Sequence, residues 1–263
     1  MQDILIATVL VAVIGLLMGL LLITVDKKFK VEVDEKEIAV REFLPGNNCG
    51  ACGFAGCDAM AAAIVKGEAS VSGCPVGGAP VAEKIARIIG VEAEETEKVV
   101  AFVKCSGDCS HVEHRANYVG IHDCASAAAS GLSPWSCDYG CLGFGSCAAA
   151  CPFGAITVID GVAVVDNQKC RACGKCVAAC PKHLIELIPD NTAYAVRCSN
   201  RDRGPAVKQV CTAGCIGCKI CEKQCESDAV HVENNISHID YEKCIGCGKC
   251  AEKCPVKVIV RRS

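Results

Sequence analysis

A chain of small α+β modules, tandemly repeated behind an N-terminal apolar helix, is predicted by three features of this 263-residue sequence. Twenty-five residues are cysteine, nine of those cysteines recur 74 residues further on, and the 22 residues from Ile4 to Val25 carry no charge. Aromatic residues make up only 4%, too few for a large conventional core over most of the length. Something other than side-chain packing must order the chain. The net charge of −3 excludes a strongly basic nucleic-acid binder.

The first element, residues 1–25, is long enough as a helix to cross a hydrocarbon core of roughly 30 Å. A cleavable signal peptide is the alternative, but Met1-Gln2-Asp3 is acidic where such a leader is basic, and no small-residue cleavage site follows. Asp3 precedes the block and Lys27, Lys28 and Lys30 follow it, so the positive-inside rule puts everything after residue 26 in the cytoplasm of a single-pass protein of the cytoplasmic membrane. Gly15 and Gly19 form a G-x-x-x-G pair that would admit a neighbouring helix.

A reducing compartment disfavours disulfides and leaves thiolates for metals. Cys170-x2-Cys173-x2-Cys176-x3-Cys180-Pro181 and Cys244-x2-Cys247-x2-Cys250-x3-Cys254-Pro255 both match the bacterial ferredoxin run, in which three close cysteines hold one [4Fe–4S] cluster and the fourth reaches the other. Structural zinc prefers two C-x2-C pairs with a longer spacer. The repeat then defines two modules, residues 136–190 and 211–263, because Cys141, Cys147, Cys151, Cys170, Cys173, Cys176 and Cys180 recur as Cys215, Cys221, Cys225, Cys244, Cys247, Cys250 and Cys254. Short apolar runs such as 155–159 and 229–232 read as their strands. Cluster ligation supplies stability that so thin a core cannot.

The second module is complete, with Cys215, Cys218, Cys221 and Cys254 for one cluster and Cys244, Cys247, Cys250 and Cys225 for the other. In the first, Cys151, Cys170, Cys173 and Cys176 make one cluster, but Phe144 stands where the repeat has Cys218. Cys141, Cys147 and Cys180 then need a fourth ligand, expected to be Cys137, or else hold a three-iron cluster.

Nearer the N-terminus, Cys49-x2-Cys52-x4-Cys57 and Cys74-Pro75 suit a further cluster in a domain of residues 45–79, with a helix from Asp58 to Val65 returning the chain to Cys74. Residues 26–44 read as a charged, solvated tether, residues 80–135 as a spacer that is helical to about residue 103, and residues 191–210 as a linker. Five clusters are thus accounted for. Cys105, Cys109, Cys124, Cys198 and Cys211 remain, and four of them would complete a sixth: Cys105, Cys109 and Cys124, with Cys198 or Cys211 fourth. The alternative is that several are ordinary buried thiols.

This order of parts resembles one family. An N-terminal span, the segment Pro45-Gly46-Asn47-Asn48-Cys49-Gly50-Ala51-Cys52-Gly53-Phe54-Ala55-Gly56-Cys57 and then ferredoxin modules look like the B subunit of the Rnf complex, an ion-translocating ferredoxin:NAD oxidoreductase. Two modules in place of one resemble the longer branch found in clostridia and acetogens. The resemblance implies an electron-transfer subunit that takes electrons from soluble ferredoxin and relays them to other membrane and soluble subunits of the complex, where flavins and the NAD site reside.

No G-x-G-x-x-G opening a helix and no G-x-x-x-x-G-K-[ST] is present, so no nucleotide site is expected in this chain, and no nucleic-acid partner. The histidines, His111, His114, His122, His183, His231 and His238, form no H-E-x-x-H and no catalytic constellation. The alternatives are an electron wire of a hydrogenase or formate-oxidising complex, or a cluster carrier. Residues 101–263 carry 18 Lys or Arg against 16 Asp or Glu, and Lys219, Lys223, Lys243, Lys249 and Lys253 gather at the second module, which predicts a positive rim for an acidic ferredoxin.

Overall fold

The computed structural model describes residues 2–29, 34–94 and 97–262. Helix α1 (Gln2–Phe29) carries the apolar block, and Leu16, Leu17 and Leu22 on it are exposed. Within it the side chains of residues 3, 5, 7, 8, 11 and 26–29 lie outside the described ones, and so does Lys30. Among the described residues no helix is long and apolar enough to cross a membrane. The expected span, with its flanking charges at Asp3, Lys27, Lys28 and Lys30, therefore falls partly outside the described residues.

The segment expected to be a solvated tether ends in a packed helix, α2 (Glu35–Phe43), whose N-cap Asp34 accepts the Lys36 N–H at 2.9 Å. Val40 and Leu44, four residues apart on one face, are buried with Met60, Ile64 and Ile85. They pack against α3 (Cys57–Val65) and α4 (Gly78–Ile89), and Arg41 Nε meets Asp58 Oδ1 at 2.6 Å across the α2–α3 contact.

The helical expectation for the spacer holds to Ile89. It fails at β1 (Val99–Val103), where Val-Val-Ala-Phe-Val is short and rich in strand-forming side chains. β1 then leads through α5 (Cys124–Ala129), α6 (Ser146–Ala149), the β2–β3 hairpin (Ile156–Ile159, Val162–Val165) and α7 (Lys175–Ala179) to β4 (Ile185–Pro189), its antiparallel partner, with Val103 opposite Ile185. The second module repeats this plan from inside the expected linker. β5 (Tyr194–Val196) is followed by α8 (Gly204–Val210), α9 (Ile220–Lys223), the β6–β7 hairpin (Val230–Glu233, Ile236–Ile239), α10 (Lys249–Lys253) and β8 (Ile259–Arg261), where Val196 stands opposite Ile259.

The two strand pairs end alike. Lys104 N–H donates to Leu184 O at 2.8 Å, and Arg197 N–H donates to Val258 O at 2.9 Å. Each module is therefore a small α+β unit closed by its first and last strands, and its core mixes Val and Ile with cysteine: Val103, Ile156, Cys147 and Cys176 in one, Val196, Val230, Cys221 and Cys250 in the other.

Candidate iron–sulfur sites

In the N-terminal cysteine unit, Cys57 N–H donates to Asn48 Oδ1 at 2.8 Å, which seats the first turn of α3 over the loop carrying Cys49 and Cys52. Burial raises the Cys74 thiol, while the Gly77 N–H at 3.4 Å from its Sγ opposes the rise and Cys52 and Cys57 stand close enough to add to it. A cleft of about 580 Å³ has Cys74 on one wall and Cys170 on the other, so this unit adjoins the first ferredoxin module through cysteines.

In that module burial pushes the Cys176 thiol up to about 11, with Cys170, Cys173 and Cys151 contributing next. Backbone donors already point at this set: Ala101 N–H on β1 at 3.3 Å from Cys170 Sγ, and Ala155 N–H at 3.4 Å from Cys151 Sγ. Module 2 repeats the second bond, Ala229 N–H to Cys225 Sγ at 3.3 Å. There Cys215 is raised by burial with Cys254 and Cys218 nearby, and burial pushes Cys250 up to about 11 beside Cys244, Cys221 and Cys225.

The site opposite Phe144 differs from expectation. Cys147, pushed up to about 12 mainly by burial, has Cys141, Cys124 and Cys180 as its nearest contributing thiols, and these four cysteines line one cavity. The fourth cysteine there is Cys124, not Cys137. Ser146 Oγ accepts the Cys124 N–H at 2.8 Å and donates to Asp123 Oδ1 at 2.7 Å, fastening the start of α5 to the start of α6, which carries Cys147.

Nor is the expected set of Cys105, Cys109 and Cys124 brought together. Cys109 is exposed, its N–H bonded to Asp160 O at 2.9 Å. A cavity between the modules is instead lined by Cys105, Cys137, Cys198 and Cys211.

Among the described residues no three or more His, Cys, Asp or Glu side chains converge as ligands of a single metal ion do. The donors present suit iron–sulfur clusters: thiols in sets of four, in apolar surroundings, with backbone N–H groups on their sulfurs. Of the histidines, His111 pairs with Asp108 at 2.8 Å, while His114 and His122 stack edge-on against Trp135 and Phe144. The expected positive rim is largely neutralised, since Lys219, Lys243 and Lys253 pair at 3.5, 3.6 and 3.5 Å with Glu222, Asp240 and Glu252, and Lys249 pairs with Glu226.

Family models agree with these sites. One described as a putative Fe-S cluster matches residues 44–76, a 4Fe-4S dicluster domain matches 133–181, and 4Fe-4S binding domains match 212–228 and 237–260. Over 98% of its length the chain is 46% identical to the B subunit of the Na(+)-translocating ferredoxin:NAD(+) oxidoreductase complex of Acetobacterium woodii, covering 78% of that protein. It is 44% identical to the B subunit of the ion-translocating oxidoreductase complex of Methanosarcina acetivorans, with each chain covered fully. The chain belongs to the B-subunit family of ion-translocating ferredoxin:NAD oxidoreductase complexes. The proton-translocating counterpart of Clostridium ljungdahlii is 41% identical over 98% of this chain and 93% of its own. This B-type subunit transfers electrons through 4Fe–4S domains within a multi-subunit translocase, and the carrier and hydrogenase-wire alternatives fall away.

Proposed function

We propose that this B-type subunit receives electrons from reduced ferredoxin at its second module, and that α1 anchors it in the membrane beside partner subunits that reduce NAD. The observation that carries the reading is exposure: Cys218 and Cys247, one ligand from each cluster motif of module 2, are exposed, whereas every ligand cysteine of module 1 is buried or half-buried. Ile245, between Cys244 and Cys247, is 69% exposed, and Ile220 stands out beside Cys221. An apolar rim around a reachable cluster suits brief docking of a small redox protein. With its lysines mostly paired, this rim attracts by contact more than by long-range charge.

The ligand sets that fit best are Cys49, Cys52, Cys57 and Cys74; Cys151, Cys170, Cys173 and Cys176; Cys124, Cys141, Cys147 and Cys180; Cys215, Cys218, Cys221 and Cys254; and Cys225, Cys244, Cys247 and Cys250. Each cluster, when bound, takes up and gives up one electron. The chain's part is to hold thiolates in dry surroundings and to aim backbone N–H groups at them, which sets the potentials. The anchor reading rests on the 28 residues of α1 and the uncharged stretch from Ile4 to Val25.

Anaerobic stopped-flow mixing with reduced ferredoxin tests the docking. Ile245→Glu should slow second-order reduction about tenfold, an estimate from losing an apolar contact and gaining a like charge, and leave reduction by dithionite unchanged. An unaltered ferredoxin rate would move the docking face elsewhere.

A further inference from the structure

Cys105 and Cys198 are the same residue in two copies. Each follows its strand by two positions, after Val103 in β1 and Val196 in β5, and each Sγ accepts an N–H from the first cysteine of its module's cluster motif: Cys141 N–H at 3.5 Å from Cys105 Sγ, Cys215 N–H at 3.3 Å from Cys198 Sγ. Cys137 and Cys211 are likewise a pair, each four residues before that motif. The cavity these four line, with Cys141 also on its wall, is thus a pseudo-twofold site that holds both pairs.

Two glycines stand against its sulfurs. A Cβ on Gly107 would stand 3.4 Å from Cys211 Sγ and 3.8 Å from Cys105 Sγ, and one on Gly140 would stand 3.5 Å from Cys137 Sγ. Two polar donors are committed to the place. Asn200, 2% exposed, donates from Nδ2 to Cys137 Sγ at 3.5 Å and from its backbone N–H to Cys198 Sγ at 3.4 Å, while its Oδ1 is held by the Asp202 N–H at 2.7 Å. Trp135, on the same cavity wall, has a buried Nε1 with no hydrogen-bond partner among the described residues. A buried indole N–H left unpaired is costly, and a ligand in this cavity is one way to relieve it.

We propose that Cys105, Cys137, Cys198 and Cys211 hold a sixth iron–sulfur cluster on the seam between the two ferredoxin modules. Structural zinc fits less well, because the four cysteines come from four separate segments with no C-x2-C pair among them. The site also explains how the modules communicate. Its sulfurs are one hydrogen bond from Cys141 on one side and one from Cys215 on the other, and Cys74 and Cys170 share a cleft, so each site adjoins the next from the Cys49–Cys74 unit to module 2. The proposal extends the electron-transfer reading above, and Asn200 is its positioning residue.

The test is metal content and EPR of the anaerobically purified full chain, with Cys198→Ser, Cys211→Ser and, outside the cavity, Cys109→Ser. The unaltered chain should hold about 24 iron atoms, and each of the first two variants about 20, with one signal lost; Cys109→Ser should match the unaltered chain. About 20 iron atoms in the unaltered chain, iron unchanged in both cavity variants, or zinc lost in its place would overturn the proposal. If the serine variants lose all iron, Asn200→Leu decides, since it keeps every thiol. Redox titration should then show one signal harder to reduce and the rest unmoved, and unmoved potentials throughout would overturn the assignment. None of these measurements uses ferredoxin, so failed docking and a failed site are separately visible.

Discussion

The ring of Phe144 lies 4.9 Å from that of Tyr118, tilted 44° against it, and His122 closes on the same ring edge-on at 5.2 Å. Phe144 occupies the position at which module 2 has the ligand Cys218, so the first module has exchanged a thiolate for an aromatic anchor. What it anchors is the segment that delivers α5, with Cys124 at its first position. On the ligand sets proposed above, the missing cysteine and Cys124 are two ends of one change.

Cys124→Ala should therefore turn one four-iron EPR signal into a three-iron signal or delete it, a loss of about one to four iron atoms. Cys137→Ala should leave that signal in place and remove a different one. The reverse result would return the fourth ligand to Cys137.

Cys57→Ala should cost only the cluster nearest α1, about four iron atoms. Its neighbours Cys52 and Cys74 belong to the unit cored by Met60 and Ile85, which shares no cysteine with the ferredoxin modules. Iron quantification showing a loss of two or more clusters would contradict that independence.

Gly143 and Gly217, equivalent in the two modules, have φ of 79° and 63°, and a Cβ at either would lie 2.8 Å from a backbone oxygen, that of Gly161 or of Asn235. Alanine at either position should destabilise by about 1–2 kcal/mol from the left-handed backbone alone, and further from displacing a hairpin that cannot swing aside. Denaturant midpoints under anaerobic conditions measure it. A midpoint equal to that of the unaltered chain would show that the hairpins yield.

Burial pushes the thiols of Cys105 and Cys147 up to about 12 from an ordinary 9.0. The sign follows from the charge: the iron-free fold favours neutral thiols, so their contribution to its stability is complete below pH 9 and is lost as pH rises toward 12. After iron removal, alkylation at pH 9 should label the exposed Cys109, Cys218 and Cys247 first and Cys105 and Cys147 last, because the thiolate is the nucleophile. Protection of Cys105 and Cys147 should vanish above that window. Equal rates at pH 9 for Cys105 and Cys109 would refute it.

Sets built from close spacing were proposed from the sequence alone, because three cysteines in C-x2-C-x2-C spacing lie too near one another to serve separate clusters. Cys170, Cys173 and Cys176 and their counterparts Cys244, Cys247 and Cys250 are of this kind, as are the α3 helix and the short β2 and β6 strands. Partners distant in sequence were not legible. β1 finds β4 across more than 80 intervening residues, and neither its five residues nor their setting beside Glu94, Glu95 and Glu97 announces that pairing.

The 74-residue repeat left the remaining cysteines open. Cys124 and Cys198 are also 74 residues apart, whereas the structure equates Cys198 with Cys105. Cys105 and Cys137 are 32 positions apart and Cys198 and Cys211 only 13, because module 1 carries an additional segment holding α5, and no fixed offset can register across it. The sequence by itself thus determined the iron–sulfur chemistry and the presence of repeated 4Fe–4S modules. Strand pairing decided which distant cysteines meet, since β1–β4 and β5–β8 fix where Cys105 and Cys198 emerge, and side-chain spacing carries no information about a contact made only when two sheets close.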